Sequence, residues 1–167
     1  MSTKRTHPVI HHRQAITSLP PESFPNPAHG HLTWRTLLSF PQTPTSDMCA
    51  GLAVCPPRTG HLCRHRHTQA EIYYITSGSG HVFIDGNEYE VFAGTVVFIP
   101  GDAEHGVVNR GGEPLEWFYV FPTGSFGDVV YRFEEGMGVK EGEGKVRAKI
   151  YGLGLGCGCS IVVRLFA

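Results

Sequence analysis

The segment that decides the fold spans residues 60–71 and reads GHLCRHRHTQAE. In a β-strand, side chains two residues apart point to the same face of the sheet. His65 and His67 therefore project together, and Glu71, four residues further along, keeps the same parity. Two neutral imidazoles and an ionised carboxylate suit Fe²⁺, Mn²⁺, Ni²⁺ or Zn²⁺. The segment predicts a site for one divalent transition metal, and its affinity should fall at acid pH because the ligands become protonated.

A second segment, residues 94–109, reads GTVVFIPGDAEHGVVN. Its pattern predicts an apolar strand, a turn at Pro100-Gly101 and a further strand. His105 follows the turn and would stand at the start of that further strand. We therefore expect His105 to supply a fourth, remote ligand to the same metal.

Together the two segments resemble the two motifs of the cupin superfamily. The matching residues are His65, His67, Glu71 and Gly78 in the first segment and Gly94, Pro100, His105 and Asn109 in the second. Gly60 lies one residue closer than is usual, and Asp102 stands where the family has Gly; both departures concern loops rather than ligands. The resemblance implies a metal-dependent, single-domain enzyme of the cupin type-2 form, with the metal inside the barrel. The alternative is a metal-free cupin whose histidines fill a polar core.

The rest of the chain also predicts an all-β protein. Turn signals recur at the spacing of a sandwich or small barrel, and Asp85-Gly86 is a typical hairpin turn. The predicted strands are His31–Ser39, Met48–Val54, Glu71–Ser77, Gly80–Ile84, Asn87–Phe92, Thr95–Ile99, Gly106–Asn109, Leu115–Phe121 and Val129–Phe133. With the resemblance, this gives a single-domain cupin β-barrel, a jelly-roll-like double-stranded β-helix.

We predict three regions along the chain. Residues 1–29 form an N-terminal arm without a regular period, whose histidines should be solvated, and residues 30–135 form the barrel. Residues 136–167 are Gly-rich; either they include a loose C-terminal strand, or the sequence from about residue 145 onward is not native coding sequence.

Two tyrosines are predicted to be catalytic. Tyr73 lies two residues after Glu71 on the same strand face, and Tyr131 could close the mouth of the pocket. Further side chains could line the pocket, although ordinary packing is the alternative for each. They are His61, Cys63, Phe83, Phe98, Trp117 and Tyr119, while Arg64, Arg66 and Arg132 could bind a substrate carboxylate or face solvent.

Three functional classes stay open at this point. The first is a cupin-type metal-dependent oxidoreductase of a small-molecule, secondary-metabolite-type pathway, in which the metal binds substrate, O₂ or both. The second is a metal-dependent lyase or isomerase in which a Tyr removes an α-proton; Glu71-x-Tyr73 and Tyr131 resemble residues of the cupin lyases that cleave dimethylsulfoniopropionate. The third is a non-catalytic, small-molecule-binding cupin.

Composition limits the partners. Lys and Arg number 14 against 15 Asp and Glu, for a net charge of −1, so we expect no nucleic-acid partner. No apolar run is long enough to cross a membrane, and the N-terminus lacks the apolar core of a signal peptide, so a cytoplasmic location is expected. The partners that we predict are a small-molecule substrate and, since cupins often pair edge strands, a second copy in a homodimer.

Overall fold

A computed structural model describes residues 6–133 and 161–164 of the chain. The described residues form one short helix, α1 (Arg13–Ser18), two 3₁₀ turns at Pro27–His29 and Phe126–Asp128, and twelve strands. The strands are β1 (Gly30–His31), β2 (Thr33–Leu38), β3 (Cys49–Cys55), β4 (Gly60–Arg66), β5 (Glu71–Ser77), β6 (Ser79–Ile84), β7 (Asn87–Phe92), β8 (Val96–Ile99), β9 (His105–Asn109), β10 (Leu115–Phe121), β11 (Val130–Phe133) and β12 (Ile161–Arg164).

The strands form two antiparallel sheets. One has the order β12-β11-β4-β9-β6-β7, with β1 also paired to β4, and the other has the order β2-β3-β10-β5-β8. The sheets pack face to face around a shared core, and neither closes on itself. The predicted all-β cupin fold is confirmed.

Alternation along the strands explains where the core lies. In β10, Leu115, Trp117, Tyr119 and Phe121 are buried while the residues between them are not. An antiparallel sheet with one buried face requires this period of two. In β5 the same rule buries Glu71 together with two apolar residues, so a carboxylate points into the core.

Strand β4 contains an irregularity that shifts this alternation. Leu62 pairs with Val107 and His65 pairs with His105, so three steps along β4 match two steps along β9. One extra residue on one strand is a β-bulge. Before the bulge the even-numbered residues of β4 face the core, and after it the odd-numbered residues do. Leu62 and His65 are therefore both buried, although they are an odd number of residues apart.

The hairpin predicted at Asp85-Gly86 joins β6 to β7. The backbone φ angles are 46° at Asp85 and 80° at Gly86. A two-residue loop with both φ values positive is the turn that fits the twist of a β-hairpin, and Gly adopts this conformation without steric cost.

The N-terminal arm packs on the barrel more closely than its sequence indicates. Glu22 and Trp34 exchange two backbone hydrogen bonds of 2.8 and 3.0 Å. Phe24 is buried in the core, and His29 is buried with its ring stacked 4.1 Å from that of Phe133. The expectation that every arm histidine is solvated is wrong for His29, because its ring packs against those of Phe133 and Phe24.

The three predicted regions, 1–29, 30–135 and 136–167, stay predictions. Within the Gly-rich region the structure describes β12, which pairs antiparallel with β11 from Phe133↔Ile161 to Val130↔Arg164. Residues 134–160 and 165–167 lie outside the described residues. The hypothesis that the sequence from about residue 145 is not native therefore stays untested.

Candidate metal centre

The predicted ligands come from both sheets and meet in the core. His65 lies in β4 and His105 begins β9, both on the larger sheet, and His67 directly follows the end of β4. Glu71 begins β5 on the smaller sheet and faces them across the interior. Each of the four residues is at most 2% exposed, so the group is shielded from bulk water.

The donor atoms of these residues converge. One ring nitrogen from each of His65, His67 and His105 lies within 4.8 Å of the other two. Glu71 Oε2 lies 3.4 Å from His67 Nε2 and 3.3 Å from His105 Nε2. The structure thus brings all four predicted ligand residues together.

Backbone carbonyls orient the three imidazoles. His65 Nδ1 lies 2.8 Å from the oxygen of Cys63, and His67 Nδ1 lies 2.8 Å from that of Gln69. His105 Nδ1 lies 2.9 Å from the oxygen of Ala103. Since a carbonyl oxygen only accepts, each Nδ1 must carry the proton and donate it. In the neutral ring, Nε2 is then left with a free lone pair directed into the cluster.

The four atoms that point inward have no hydrogen-bond partner. His65 Nε2, His67 Nε2, His105 Nε2 and Glu71 Oε2 are buried and unsatisfied. Unpaired buried polar atoms are rare and costly, and four that converge on one point indicate a cation-binding site. Three imidazole nitrogens and a carboxylate oxygen are a suitable donor set for a divalent transition metal, so these residues fit the metal that the fold implies.

Electrostatics favour the metal-binding protonation states of His65 and Glu71. Burial lowers the pKa of His65 well below its usual 6.5, and the neighbouring His105 and His67 lower it further. Burial alone would raise the pKa of Glu71, but the close approach of the His105 and His67 rings to its carboxylate outweighs burial and lowers the pKa. A neutral His65 and an ionised Glu71 are the states that bind a metal.

A small cavity adjoins the cluster. Its volume is about 20 Å³, which is room for about one water molecule. Its walls are largely aromatic and contain one carboxyl group, that of Glu71. The lining residues are Phe24, Leu32, Trp34, Ala53, Leu62, Glu71, Tyr73, Trp117, Tyr119 and Tyr131. Because this space is smaller than an organic substrate, side chains must move apart to admit one.

Both predicted catalytic tyrosines line this cavity. Tyr73 is 2% exposed and shares the inner face of β5 with Glu71. Tyr131 stacks on the ring of His65 with centroids 4.5 Å apart and an interplanar angle of 20°. Burial raises the pKa of both phenols well above 10, and the negative charge of Glu71 raises it further. Their catalytic role stays a prediction.

Trp117 and Tyr119 line the cavity as predicted, but other candidates do not. Phe98 is 62% exposed, because Ile99 and Val97 take the inward positions of β8. Phe83 lies under the guanidinium of Arg64 at 4.8 Å from its ring centroid, outside the cavity lining. The prediction that these two phenylalanines form walls is wrong.

His61 and Cys63 are also absent from the cavity lining. His61 Nδ1 lies 3.0 Å from the carbonyl oxygen of Thr59, and Cys63 donates to the carbonyl of Ala28 at 3.0 Å. Because of the bulge in β4, the side chains of His61 and Cys63 point to the opposite face of the sheet from His65, although all three residues have odd numbers. The prediction that they share the face of His65 therefore fails.

The three candidate arginines make ion pairs outside the cavity. Arg64 and Arg66 lie 3.3 and 3.6 Å from the carboxylate of Glu104, and Arg132 pairs with Asp102. These ion pairs agree with the alternative in which the three arginines face outward, and not with the one in which they bind a substrate carboxylate.

Five cavity residues were not recognised as site residues from the sequence, namely Phe24, Leu32, Trp34, Ala53 and Leu62. Trp34 was placed on a strand but not in the pocket, and Phe24 lies in the arm. Phe24 is a single aromatic residue in a Pro-rich arm, and such a residue does not predict a pocket position from sequence. Tertiary packing alone decides where its side chain lies. A larger surface groove of about 900 Å³, between residues 40–47 and 122–128, contains none of the predicted site residues.

The chain belongs to the cupin family. The Cupin domain family matches residues 51–121, which contain the four predicted ligand residues and Tyr73. The dimethylsulfoniopropionate lyase DddW of Ruegeria pomeroyi is 45% identical over 109 residues, covering 65% of this chain and 70% of the relative.

Solved structures agree on the fold. The polyketide cyclase RemF from Streptomyces resistomycificus aligns with a TM-score of 0.60 at 24% identity, over 70% of this chain and 80% of RemF. A predicted oxalate decarboxylase from Thermotoga maritima aligns with a TM-score of 0.58 at 26% identity, over 65% of this chain and 96% of that protein. Among the described residues, no helix has the length and apolar character needed to span a membrane.

Proposed function

We propose that this protein is a metal-dependent lyase that eliminates a neutral sulfide from a small carboxylate of the dimethylsulfoniopropionate type. The observation that carries the proposal is that two tyrosines share one cavity with Glu71, which contacts two of the three clustered imidazoles. The 45% identity to a dimethylsulfoniopropionate lyase over 70% of that protein supports the same chemistry.

In this proposal His65, His67, His105 and Glu71 hold one divalent cation. Such a cation supplies Lewis-acid binding for the substrate carboxylate and a positive charge that favours the phenolate of a neighbouring tyrosine. The hydrogen bonds from Nδ1 to backbone carbonyls hold the three imidazole rings in place, so these three side chains need not reorient during turnover.

Tyr73 is the proposed base. Because burial raises its phenol pKa, Tyr73 would act as a base only after it had released its own proton to water, a loss that the positive charge of a bound cation would favour. Its phenolate oxygen would then accept the proton from the carbon next to the substrate carboxylate. The electrons of that C–H bond form a carbon–carbon double bond, and the C–S pair leaves with sulfur as a neutral sulfide. The products are an unsaturated carboxylate and a dialkyl sulfide.

The aromatic walls suit a sulfonium cation. Trp34, Trp117 and Tyr119 line the cavity near Tyr73, and aromatic faces attract cations without the desolvation cost of a buried carboxylate partner. The sulfonium group loses its charge as the C–S bond breaks, so the product sulfide is held less tightly than the substrate.

A cupin-type oxidoreductase, the first of the three classes given above, stays a prediction, because none of the relatives described above is named as an oxidoreductase. The two reactions differ in their need for an oxidant, because elimination consumes none. A non-catalytic binding cupin would keep the metal and the cavity but turn over nothing.

The test is turnover of dimethylsulfoniopropionate by the full chain loaded with Fe²⁺, Mn²⁺, Ni²⁺ or Zn²⁺ under anaerobic conditions, with dimethyl sulfide measured in the headspace. We expect release without O₂, and loss of release when the metal is chelated. O₂ uptake coupled to substrate loss would instead support the oxidoreductase. Tight substrate binding with no product would support the binding protein.

A further inference from the structure

Two arginines of β4 share one largely buried carboxylate on the outer side of the metal centre. Arg64 and Arg66 flank the predicted ligand His65, and both reach Glu104, the residue directly before His105. The Glu104 side chain is only 11% exposed. A buried carboxylate is costly unless it is paired, so removing either side of such a pair disturbs the elements that it joins.

Each oxygen of this carboxylate meets a different arginine. Glu104 Oε1 accepts a hydrogen bond from Arg64 Nη1 at 3.3 Å, and Glu104 Oε2 lies 3.6 Å from Arg66 Nη2. The Arg64 guanidinium also lies over the ring of Phe83, 4.8 Å from its centroid, which restricts its orientation. We call Arg64, Arg66 and Glu104 the Glu104 clamp. The clamp joins two positions of β4 to the turn that leads into β9.

Further hydrogen bonds fix the same turn. Glu104 N donates to Asp85 Oδ1 at 2.9 Å, and Asp85 N donates to the carbonyl of Glu104 at 2.8 Å. Arg66 Nη1 donates to the carbonyl of Asp102 at 2.8 Å, and Asp102 N donates to the carbonyl of His67 at 2.7 Å. The turn before β9 is therefore tied to the end of β4 and to the β6–β7 hairpin.

The clamp lies where the strand ladder is irregular. The bulge in β4 falls between Leu62 and His65, and the next pair along the ladder is His65↔His105. A bulge disrupts backbone pairing locally, so the ladder alone constrains this pair less than a regular ladder would. Side-chain contacts between the two strands then help to set the position of the His105 ring, whose centroid is 4.1 Å from that of His65.

We propose that Glu104 is a positioning residue of the metal centre. By closing the clamp, it holds His105 in register with His65. Glu104 does not line the cavity, so it acts on a bound ion only through the histidines. The inference rests on the metal site of the proposed function and not on the substrate. An ion pair with a merely structural role would stabilise the fold but leave the affinity for metal unchanged.

Competition between the full-length protein and a chromophoric chelator for Zn²⁺ tests the proposal. Glu104→Gln removes the charge but keeps the size of the side chain. We expect it to raise the dissociation constant for Zn²⁺ at least about 10-fold, the lower end of what loss of a group that orients metal ligands costs. Arg66→Gln should also raise it about 10-fold, because it opens the clamp from the other side.

The pair of variants separates positioning from simple electrostatics. Glu104→Gln removes a negative charge and Arg66→Gln removes a positive one, so a direct charge effect on the bound cation would shift the affinity in opposite directions. Positioning weakens binding in both. The visible spectrum of the Co²⁺-loaded protein, which reports the geometry of the ligands, should change in both variants as well.

Glu88→Gln is the matched control. Glu88 lies on β7 of the same sheet and pairs with Arg110, away from the four predicted ligands, so its replacement should leave the Zn²⁺ affinity unchanged. Circular dichroism and thermal melting of the metal-free proteins identify the variants that are folded. Because two variants open the clamp, the test survives if one of them does not fold.

Wild-type affinity in folded Glu104→Gln or Arg66→Gln would overturn the inference, and so would opposite shifts in the two variants. A wild-type protein that binds no Zn²⁺ would overturn the metal centre and this inference with it. Metal-loaded wild type that releases no dimethyl sulfide would overturn only the proposed lyase activity, because the affinity measurement involves no turnover.

Discussion

Glu71 Oε2 lies 3.3 Å from His105 Nε2, although β5 and β9 belong to different sheets. An ion bound by both residues would join the two sheets across the core. Metal binding and fold stability should therefore be coupled, because the unfolded chain cannot offer the same donors at one point.

The first prediction follows from this coupling. Adding a divalent metal at 100 times its dissociation constant should raise the free energy of unfolding by about 2.7 kcal/mol, and a chelator should reverse it. His105→Ala should remove the effect, whereas His81→Ala, on the half-buried outer part of β6, should keep it. Differential scanning calorimetry with and without metal checks this. An equal metal-induced shift in both variants would contradict the site.

The second prediction concerns Tyr73. Tyr73→Phe removes one hydroxyl and should lower kcat by about 100-fold or more, the usual contribution of a general base, while metal content stays the same. Tyr74→Phe is the control, since Tyr74 is the next residue in β5 and points outward, 46% exposed. Dimethyl sulfide release measures both variants. Full activity in Tyr73→Phe would remove Tyr73 from the mechanism.

The third prediction concerns the arm. Phe24 is 8% exposed and packs on Trp34 with ring centroids 4.9 Å apart, at the wall of the cavity. Phe24→Ala should cost about 3–5 kcal/mol of stability through the cavity it leaves. It should also raise kcat/KM for sulfonium substrates with larger alkyl groups relative to dimethylsulfoniopropionate. Phe92→Ala, at a 62% exposed position, should change neither quantity. An unchanged substrate ratio in Phe24→Ala would show that the arm does not limit the pocket.

The fourth prediction is a window of maximal stability in the metal-free protein. The pKa of His65 is lowered from 6.5 by burial, so below pH 6.5 the unfolded chain binds a proton that the folded chain does not, and stability falls as pH falls. Burial raises the pKa of Cys49 and Cys55 from 9.0 to about 12, so above pH 9.0 the unfolded thiols lose protons first and stability falls as pH rises.

Each such group contributes a slope of up to about 1.4 kcal/mol per pH unit within its own window. Urea unfolding of the chelated protein at a series of pH values measures the curve. Substituting both thiols, as in Cys49→Ala with Cys55→Ala, should flatten the alkaline side only. A curve that stays level from pH 5 to pH 11 would contradict these pKa shifts.

Much of the site could be predicted from local sequence because strand parity is a local property. Glu71–Ser77, Asn87–Phe92 and Leu115–Phe121 were predicted with the bounds that the structure has. His65 and His67 share the inward face as the alternation predicts, whereas Glu71 begins β5 on the other sheet and meets them across the core.

The errors arise where tertiary structure overrides parity or supplies distant residues. The bulge between Leu62 and His65 turns Cys63 out of the cavity, and it depends on pairing with β9 rather than on the local sequence. Phe98 faces outward because Ile99 is the residue of β8 that reaches the core. Phe24 enters the cavity from the arm, where no period indicates a buried face.

The central claim is that His65, His67, His105 and Glu71 bind one cation, and X-ray absorption of the full chain loaded with a single metal tests it most directly. The account predicts one ion per chain with scattering from three imidazoles and a further light-atom ligand, and one imidazole fewer in His65→Ala. A spectrum with fewer than three imidazoles in the wild type, or one that His65→Ala leaves unchanged, would contradict it.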